Sequence, residues 1–112
     1  MRAQSNARVS TSTRSDFGAA FRLVRKACGL TQEDFDEVSS RVYVSALERG
    51  VKQPTLPKVD ALAQRLGVHP LSVLALAYCP EQGQEELHRL LSMVAAEAAA
   101  VLKDASAAGA SA

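Results

Sequence analysis

Two features of the sequence predict an all-α fold. Apolar residues recur at intervals of three and four positions along most of the chain, which places them on one face of a helix. Ser, Thr or Pro stands where these segments begin, and Gly where several of them end, as is typical of helix boundaries. No segment alternates strictly between apolar and polar residues, as a half-buried strand would. We therefore expect five short helices followed by one longer helix.

The first two helices follow one another closely. Ser15 is the candidate N-cap of the first helix, and Cys28 lies on its apolar face next to the glycine that ends it. Thr31 caps a short second helix over residues 32–38, because Asp34 follows three positions later in a weaker form of the capping box. The residues expected to be buried are Phe17, Phe21, Val24, Phe35 and Val38.

The third helix lies in the stretch SSRVYVSALERG, residues 39–50. Ser39 or Ser40 can cap it, and the glycine that closes the stretch ends it. Val44 and Leu47 are expected to face inward. Almost nothing separates this helix from the second one, which is the spacing of a helix-turn-helix. The periodicity alone does not identify DNA as the partner.

Proline and glycine delimit the fourth and fifth helices. Thr55 caps the fourth helix and Gly67 closes it. His69 caps the fifth helix, and Pro70 occupies its first position, where a missing N–H is harmless. With the first three helices, these two complete a domain over residues 15–79.

A sixth helix is expected from residue 84 to about residue 103, within a segment of residues 80–104. Its apolar residues alternate spacings of four and three, which is the seam of a coiled coil, and this favours a homodimer through the helix. The alternative is that the apolar stripe covers the chain's own domain. The expected dimerisation residues are Leu87, Leu90, Leu91, Val94, Ala98 and Val101.

The formal net charge of +1 hides a basic beginning and an acidic last third. Residues 1–14 contain Arg2, Arg8 and Arg14, lack any acid and show no helical periodicity, so we expect a disordered basic arm. Residues 105–112 are expected to form a disordered tail. A near-neutral total does not exclude nucleic acid, because binding needs a basic face rather than a basic average.

Neither an enzyme nor a membrane protein is favoured. The sequence shows no nucleophile–base pair, metal-ligand cluster or phosphate-binding glycine loop, so we expect no catalytic residue, metal or cofactor. It also shows no membrane-length apolar run, no secretory h-region and no disulfide framework. A reduced cytoplasmic protein is expected, with Cys28 in the core and Cys79 as the more exposed thiol.

Three segments, LTQEDF, RVYVSALERG and PTLPKVDALAQRLGVHPLSVL, resemble the Xre/Cro/CI family of helix-turn-helix transcription regulators. The resemblance covers roughly residues 17–78 and includes all five short helices in order. It implies a lambda-repressor-like five-helix bundle. Members usually bind operator DNA as homodimers, so it also implies a homodimer on palindromic double-stranded DNA, associated with the nucleoid when bound.

The resemblance further implies roles for individual residues. The start of the third helix enters the major groove, where Arg41 can donate two hydrogen bonds to guanine and Val42 can contact a thymine methyl group. Gln32 begins the second helix, a position that commonly contacts a phosphate. The expected base-reading residues are Arg41, Val42, Ser45 and Ala46. The expected backbone-contacting residues are Gln32, Ser40, Tyr43, Arg49 and Lys52.

Acidic residues near this site need another role, because phosphates repel carboxylates. Glu33 is expected to face away from DNA, and Glu48 to hold Arg49 or a neighbouring backbone group. The chain also departs from the family in two ways. The turn in DEVSSRVY is two residues shorter than in most members, and Asp36 stands where the family usually has a small apolar residue.

The favoured interpretation is a sequence-specific dimeric DNA-binding regulator. A repressor is favoured over an activator, since a dimer on DNA blocks polymerase by occupancy alone. The alternative is an antitoxin or another protein-interaction module whose C-terminal helix binds a partner protein.

Overall fold

The computed structural model describes residues 15–79 and 83–111, and none of these residues lies in a strand. The all-α prediction is therefore confirmed. The first five elements belong to one compact unit and the last helix belongs to another. The basic arm expected over residues 1–14 lies outside the described residues. The elements are α1 (Phe17–Ala27), a 3₁₀ helix (Gln32–Phe35), α2 (Arg41–Glu48), α3 (Leu56–Leu66), α4 (Pro70–Ala77) and α5 (Gln84–Ser111).

Side-chain caps begin the helices close to the expected positions. At the start of α2, α3 and α4, a side-chain acceptor binds a backbone N–H of the first turn, as predicted. These caps are Ser40, Thr55 and His69. The N-cap of α1 is Asp16 rather than Ser15, because the Asp16 carboxylate accepts a hydrogen bond from the Ala19 N–H at 3.1 Å.

The core of the first unit is built around two phenylalanines. Phe21 of α1 and Phe35 of the 3₁₀ helix are fully buried, with ring centroids 5.0 Å apart in an edge-to-face arrangement. Apolar residues of α2, α3 and α4 close around this pair, and α1 packs against both α2 and α4. The other fully buried large side chains are Val44, Leu47, Leu62 and Val73.

The prediction of an α-helix over residues 32–38 is wrong. Only its first four residues are helical, in 3₁₀ geometry, and the chain then turns through residues 36–39. The N–H groups of Val38 and Ser39 both donate to the carbonyl of Phe35 at 2.9 Å, which closes the turn. A 3₁₀ helix rises about 2.0 Å per residue against about 1.5 Å in an α-helix, so fewer residues cover the same distance. The 3₁₀ geometry therefore carries the chain through this segment in few residues while Phe35 stays in the core.

The two cysteines have the opposite environments to those expected. Cys28 is exposed because it follows the last residue of α1, whereas Cys79 is buried. The inner face of α1 carries Ala20 and Arg25 instead of the predicted Cys28. An arginine there requires a buried partner, which is described below.

The C-terminal helix is longer than expected. α5 continues to Ser111 instead of ending near residue 103, so the tail predicted to be disordered is helical over residues 105–111. Alanine, which dominates this part of the chain, has the highest intrinsic helix propensity. Among the described helices, none is long and apolar enough to cross a membrane.

Gly18 allows α1 to approach the end of α2 very closely. A Cβ atom at Gly18 would overlap the carbonyl oxygen of Leu47 and would lie 3.2 Å from the Cα of Glu48. Both neighbours are backbone atoms, so no side-chain rotation could relieve the overlap. Only glycine is compatible with this helix pair as it stands.

We predict that Gly18→Ala lowers the free energy of unfolding by about 1–3 kcal/mol, because the added methyl group forces two packed backbones apart. Urea unfolding followed by circular dichroism measures the change. Gly83→Ala is the matched control, since a Cβ atom there meets no atom within 4 Å. Equal losses in the two variants would contradict the close approach of α1 and α2.

Candidate nucleic-acid interface

An open groove lies along the exposed side of α2. Its lining residues are Gln32, Arg41, Val42, Ser45 and Arg49. Three of them are expected base-reading residues, and the other two are expected backbone-contacting residues. The structure therefore brings these five side chains onto one surface, which combines two cations, an amide, a hydroxyl and an apolar side chain.

The groove exists because the apolar residues of α2 point the other way. Val44 and Leu47 are fully buried, and with 3.6 residues per turn Val42 and Ser45 fall on the other side of the helix, with Arg41 between the two sides. Val42 is 79% exposed, although burial would favour an apolar side chain. Its position leaves an apolar surface free for contact with a partner.

One expected base reader, Ala46, is not available. Ala46 is only 6% exposed. The N–H groups of Val51 and Lys52 donate to the Ala46 carbonyl at 2.9 and 3.3 Å. The expected base contact by Ala46 is therefore corrected: its methyl group has too little free surface.

The remaining expected contacts flank the groove without lining it. Ser40 is exposed at the start of α2, and Lys52 is exposed in the loop that follows the helix. Tyr43 is half-buried, with the ammonium nitrogen of Lys58 5.3 Å from its ring centroid. Burial raises the pKa of the Tyr43 hydroxyl, which stays protonated and able to donate a hydrogen bond.

The cations near the groove differ in their partners. The Arg41 guanidinium pairs with Glu33, with Nη1 and Oε2 3.0 Å apart. Arg49 Nε donates to the hydroxyl of Ser45 at 3.4 Å. Within residues 15–79 and 83–111, neither Arg49 nor Lys52 forms an ion pair.

A buried ion pair beneath the groove was not foreseen from the sequence. The Glu48 carboxylate accepts hydrogen bonds from Arg25 Nε at 2.6 Å and from Arg25 Nη2 at 3.0 Å. The side chains of Arg25 and Glu48 are only 9% and 5% exposed. Arg25 Nη1 also donates to the Leu30 carbonyl at 2.8 Å. The hydrogen bond from Arg25 to Glu48 raises the pKa of the arginine, so the guanidinium stays charged, and the contact joins α1 to the end of α2.

The same carboxylate orients Gln32. Gln32 Nε2 donates to Glu48 Oε1 at 3.1 Å, which leaves its second amide hydrogen free to donate elsewhere. Glu48 therefore holds Gln32 and Arg25, instead of Arg49 or a neighbouring backbone group as expected. One sequence signal was available: Arg25 follows Phe21 by four positions and so falls on the buried face of α1, where an arginine needs an acid.

The segment that carries Gln32 is also anchored from its other side. The backbone N–H of Thr31 donates to Asp34 Oδ2 at 2.7 Å, as in the predicted capping box, and the Thr31 hydroxyl donates to the same oxygen at 3.0 Å. These two hydrogen bonds lower the pKa of the Asp34 carboxyl. Arg65 Nε of α3 donates to the Asp34 carbonyl at 2.9 Å. The 3₁₀ helix is thus fixed relative to α1, α2 and α3.

Comparisons with known proteins match the part of the chain that contains this groove. The family model described as helix-turn-helix matches residues 21–73, from α1 into α4. A protein of Sinorhizobium fredii, named an uncharacterized HTH-type transcriptional regulator, is 45% identical over 53 residues, which cover 46% of this chain and 69% of that protein. No solved structure matches the chain.

We predict that Glu48→Gln lowers the free energy of unfolding by about 3–5 kcal/mol, because it leaves the Arg25 charge buried without an anionic partner. Urea unfolding measures this loss. The double variant Arg25→Met with Glu48→Leu should recover most of it, since apolar side chains of similar size need no partner. Glu37→Gln is the exposed control and should change stability by less than about 0.5 kcal/mol. A loss for Glu48→Gln no larger than that of the control would contradict the buried pair.

Proposed function

The chain belongs to the Xre/Cro-type family of helix-turn-helix transcriptional regulators, and we propose on that premise that it binds double-stranded DNA sequence-specifically with the start of α2 in the major groove. The observation that carries the proposal is the groove in which Arg41, Val42 and Ser45 stand beside Gln32 and Arg49. Those side chains match the chemistry of base edges and phosphates.

Base reading is assigned to the exposed side of α2. Arg41, the first residue of the helix, can donate two parallel hydrogen bonds to guanine O6 and N7. The exposed Val42 side chain can contact the methyl group of thymine. The hydroxyl of Ser45 lies one turn further on and can donate to or accept from either base of a pair.

Contacts to the DNA backbone are assigned to residues on both sides of this helix. The free amide hydrogen of Gln32 and the positive charges of Arg49 and Lys52 suit phosphate oxygens. The hydroxyl groups of Ser40 and Tyr43 can add neutral hydrogen bonds. These contacts fix the position of α2 on the duplex without reading its sequence.

A homodimer through α5 is the second part of the proposal. Leu91, Val94 and Val101 of α5 are 44%, 46% and 65% exposed, and a sustained apolar stripe of this kind is typical of a surface that another helix covers. Two-fold symmetry would place two copies of α2 in successive major grooves about 34 Å apart, over an inverted repeat. A dimer in the cytoplasm would then repress transcription by occupying the operator.

We predict that selection of bound duplexes from a random pool enriches an inverted repeat, and that Arg41→Ala loses the preference for guanine at one position in each half-site. The loss per half-site should be about 1–3 kcal/mol of discrimination, the value of one bidentate contact. Sequencing of the selected pools gives the preference, and titration of the enriched duplex gives the affinity.

Arg22→Ala is the matched control for the removal of one positive charge, because Arg22 is exposed on α1 and does not line the groove. This variant should keep the wild-type preference. An unchanged preference in Arg41→Ala, or no enriched sequence with the wild-type protein, would contradict the assigned function.

We predict that Leu91→Glu converts the dimer to a monomer, because it places a charge in the apolar stripe of each helix. Light scattering after size exclusion measures the mass, and DNA titration should show weaker binding to the full inverted repeat. Ser92→Glu adds the same charge beside the stripe and should leave the dimer intact. A monomeric wild-type protein, or a dimeric Leu91→Glu variant, would contradict dimerisation through α5.

A further inference from the structure

The acidic residue beside the proposed base reader has no role in the functions described so far. We propose that Glu33 determines DNA specificity by acting through Arg41: its carboxylate weakens the attraction of Arg41 for phosphates more than its attraction for guanine. The inference rests on the proposed function, since it assumes that Arg41 reads a base. Glu33 is thus a positioning residue and does not itself contact DNA.

The pair spans the two elements of the helix-turn-helix. Glu33 is the second residue of the 3₁₀ helix, Arg41 is the first residue of α2, and their Oε2 and Nη1 atoms are 3.0 Å apart. The 3₁₀ helix cannot easily move away, because Gln32 is bonded to Glu48 and the carbonyl of Asp34 is bonded to α3. The backbone of Glu33 is therefore held close to the first residue of α2.

The chemistry of the guanidinium group allows both contacts at once. Arginine has five N–H donors, more than one carboxylate can occupy, so the contact between Glu33 and Nη1 leaves donors for guanine O6 and N7. These acceptors carry no net charge. A phosphate, by contrast, carries a full negative charge and is repelled by the carboxylate as it approaches Arg41. The pair therefore disfavours the backbone contact more strongly than the base contact.

The pairing is confined to the cation that is proposed to read sequence. Arg49 and Lys52, assigned to phosphates, form no ion pair within the described part of the chain and keep their full attraction for the backbone. The side chains of Arg41 and Glu33 are 60% and 62% exposed, so their attraction is screened by solvent and the pair can open or adjust when DNA binds. This distribution of charge favours discrimination over total affinity.

The test compares the wild type, Glu33→Gln, Arg41→Ala and the double variant on two duplexes: the one enriched by selection and a scrambled duplex of the same length and composition. Glu33→Gln should bind the scrambled duplex about two- to fivefold more tightly than the wild type does, which is the range expected for an exposed ion pair. Its affinity for the enriched duplex should rise by a smaller factor. Its binding to the scrambled duplex should also become more salt-dependent, because Arg41 then releases about one more counterion. With Arg41→Ala already present, Glu33→Gln should leave the ratio of the two affinities unchanged.

Glu37→Gln is the matched control, since it removes an exposed negative charge nearby that is not paired with Arg41. It should leave the affinity ratio at the wild-type value. Three results would overturn the role of Glu33: equal gains on both duplexes, no gain on either, or a lowered ratio that persists without Arg41. A wild-type protein that prefers no duplex would overturn the proposed function as well, and this is visible before any variant is made.

Discussion

The carboxylate of Glu48 is shared by three N–H donors beneath the groove, and both the bundle and the groove depend on it. Two donors come from Arg25, so the carboxylate joins α1 to the end of α2. The third comes from Gln32, so it also orients a side chain assigned to DNA. A charge with so little exposure must be paired and hydrogen-bonded, and here the same contact supplies stability and the shape of the interface.

Helix boundaries were predictable from the sequence where the signal lies within one turn of the helix. Ser40, Thr55 and His69 each bind an N–H of the first turn, so local residue type is sufficient. The 3₁₀ helix was not predictable, because its geometry depends on Phe35 reaching a core formed by distant residues. The close approach at Gly18 has the same origin: sequence shows a glycine, and only the packed α2 backbone shows why it is there.

The candidate site was predictable to the extent that it follows from the phase of one helix. Val44 and Leu47 fix the buried side of α2, and the groove residues follow on the other side. The burial of Ala46 does not follow from the phase of α2 alone and was therefore not predictable in this way. The pairing of Glu48 with Arg25 was also not predicted. Arg25 lies 23 positions away, and pairing across such a distance leaves little local signal in the sequence.

Binding of DNA through the groove beside α2 is tested most directly by NMR titration of the labelled protein with a short duplex that carries its selected sequence. Binding through the groove should give the largest amide shift changes at Gln32, at residues 40–45 and at Arg49, together with slowed exchange of the Arg41 guanidinium protons. Shift changes centred on α4 or α5, or none at low salt, would show that the groove beside α2 is not where this protein meets DNA.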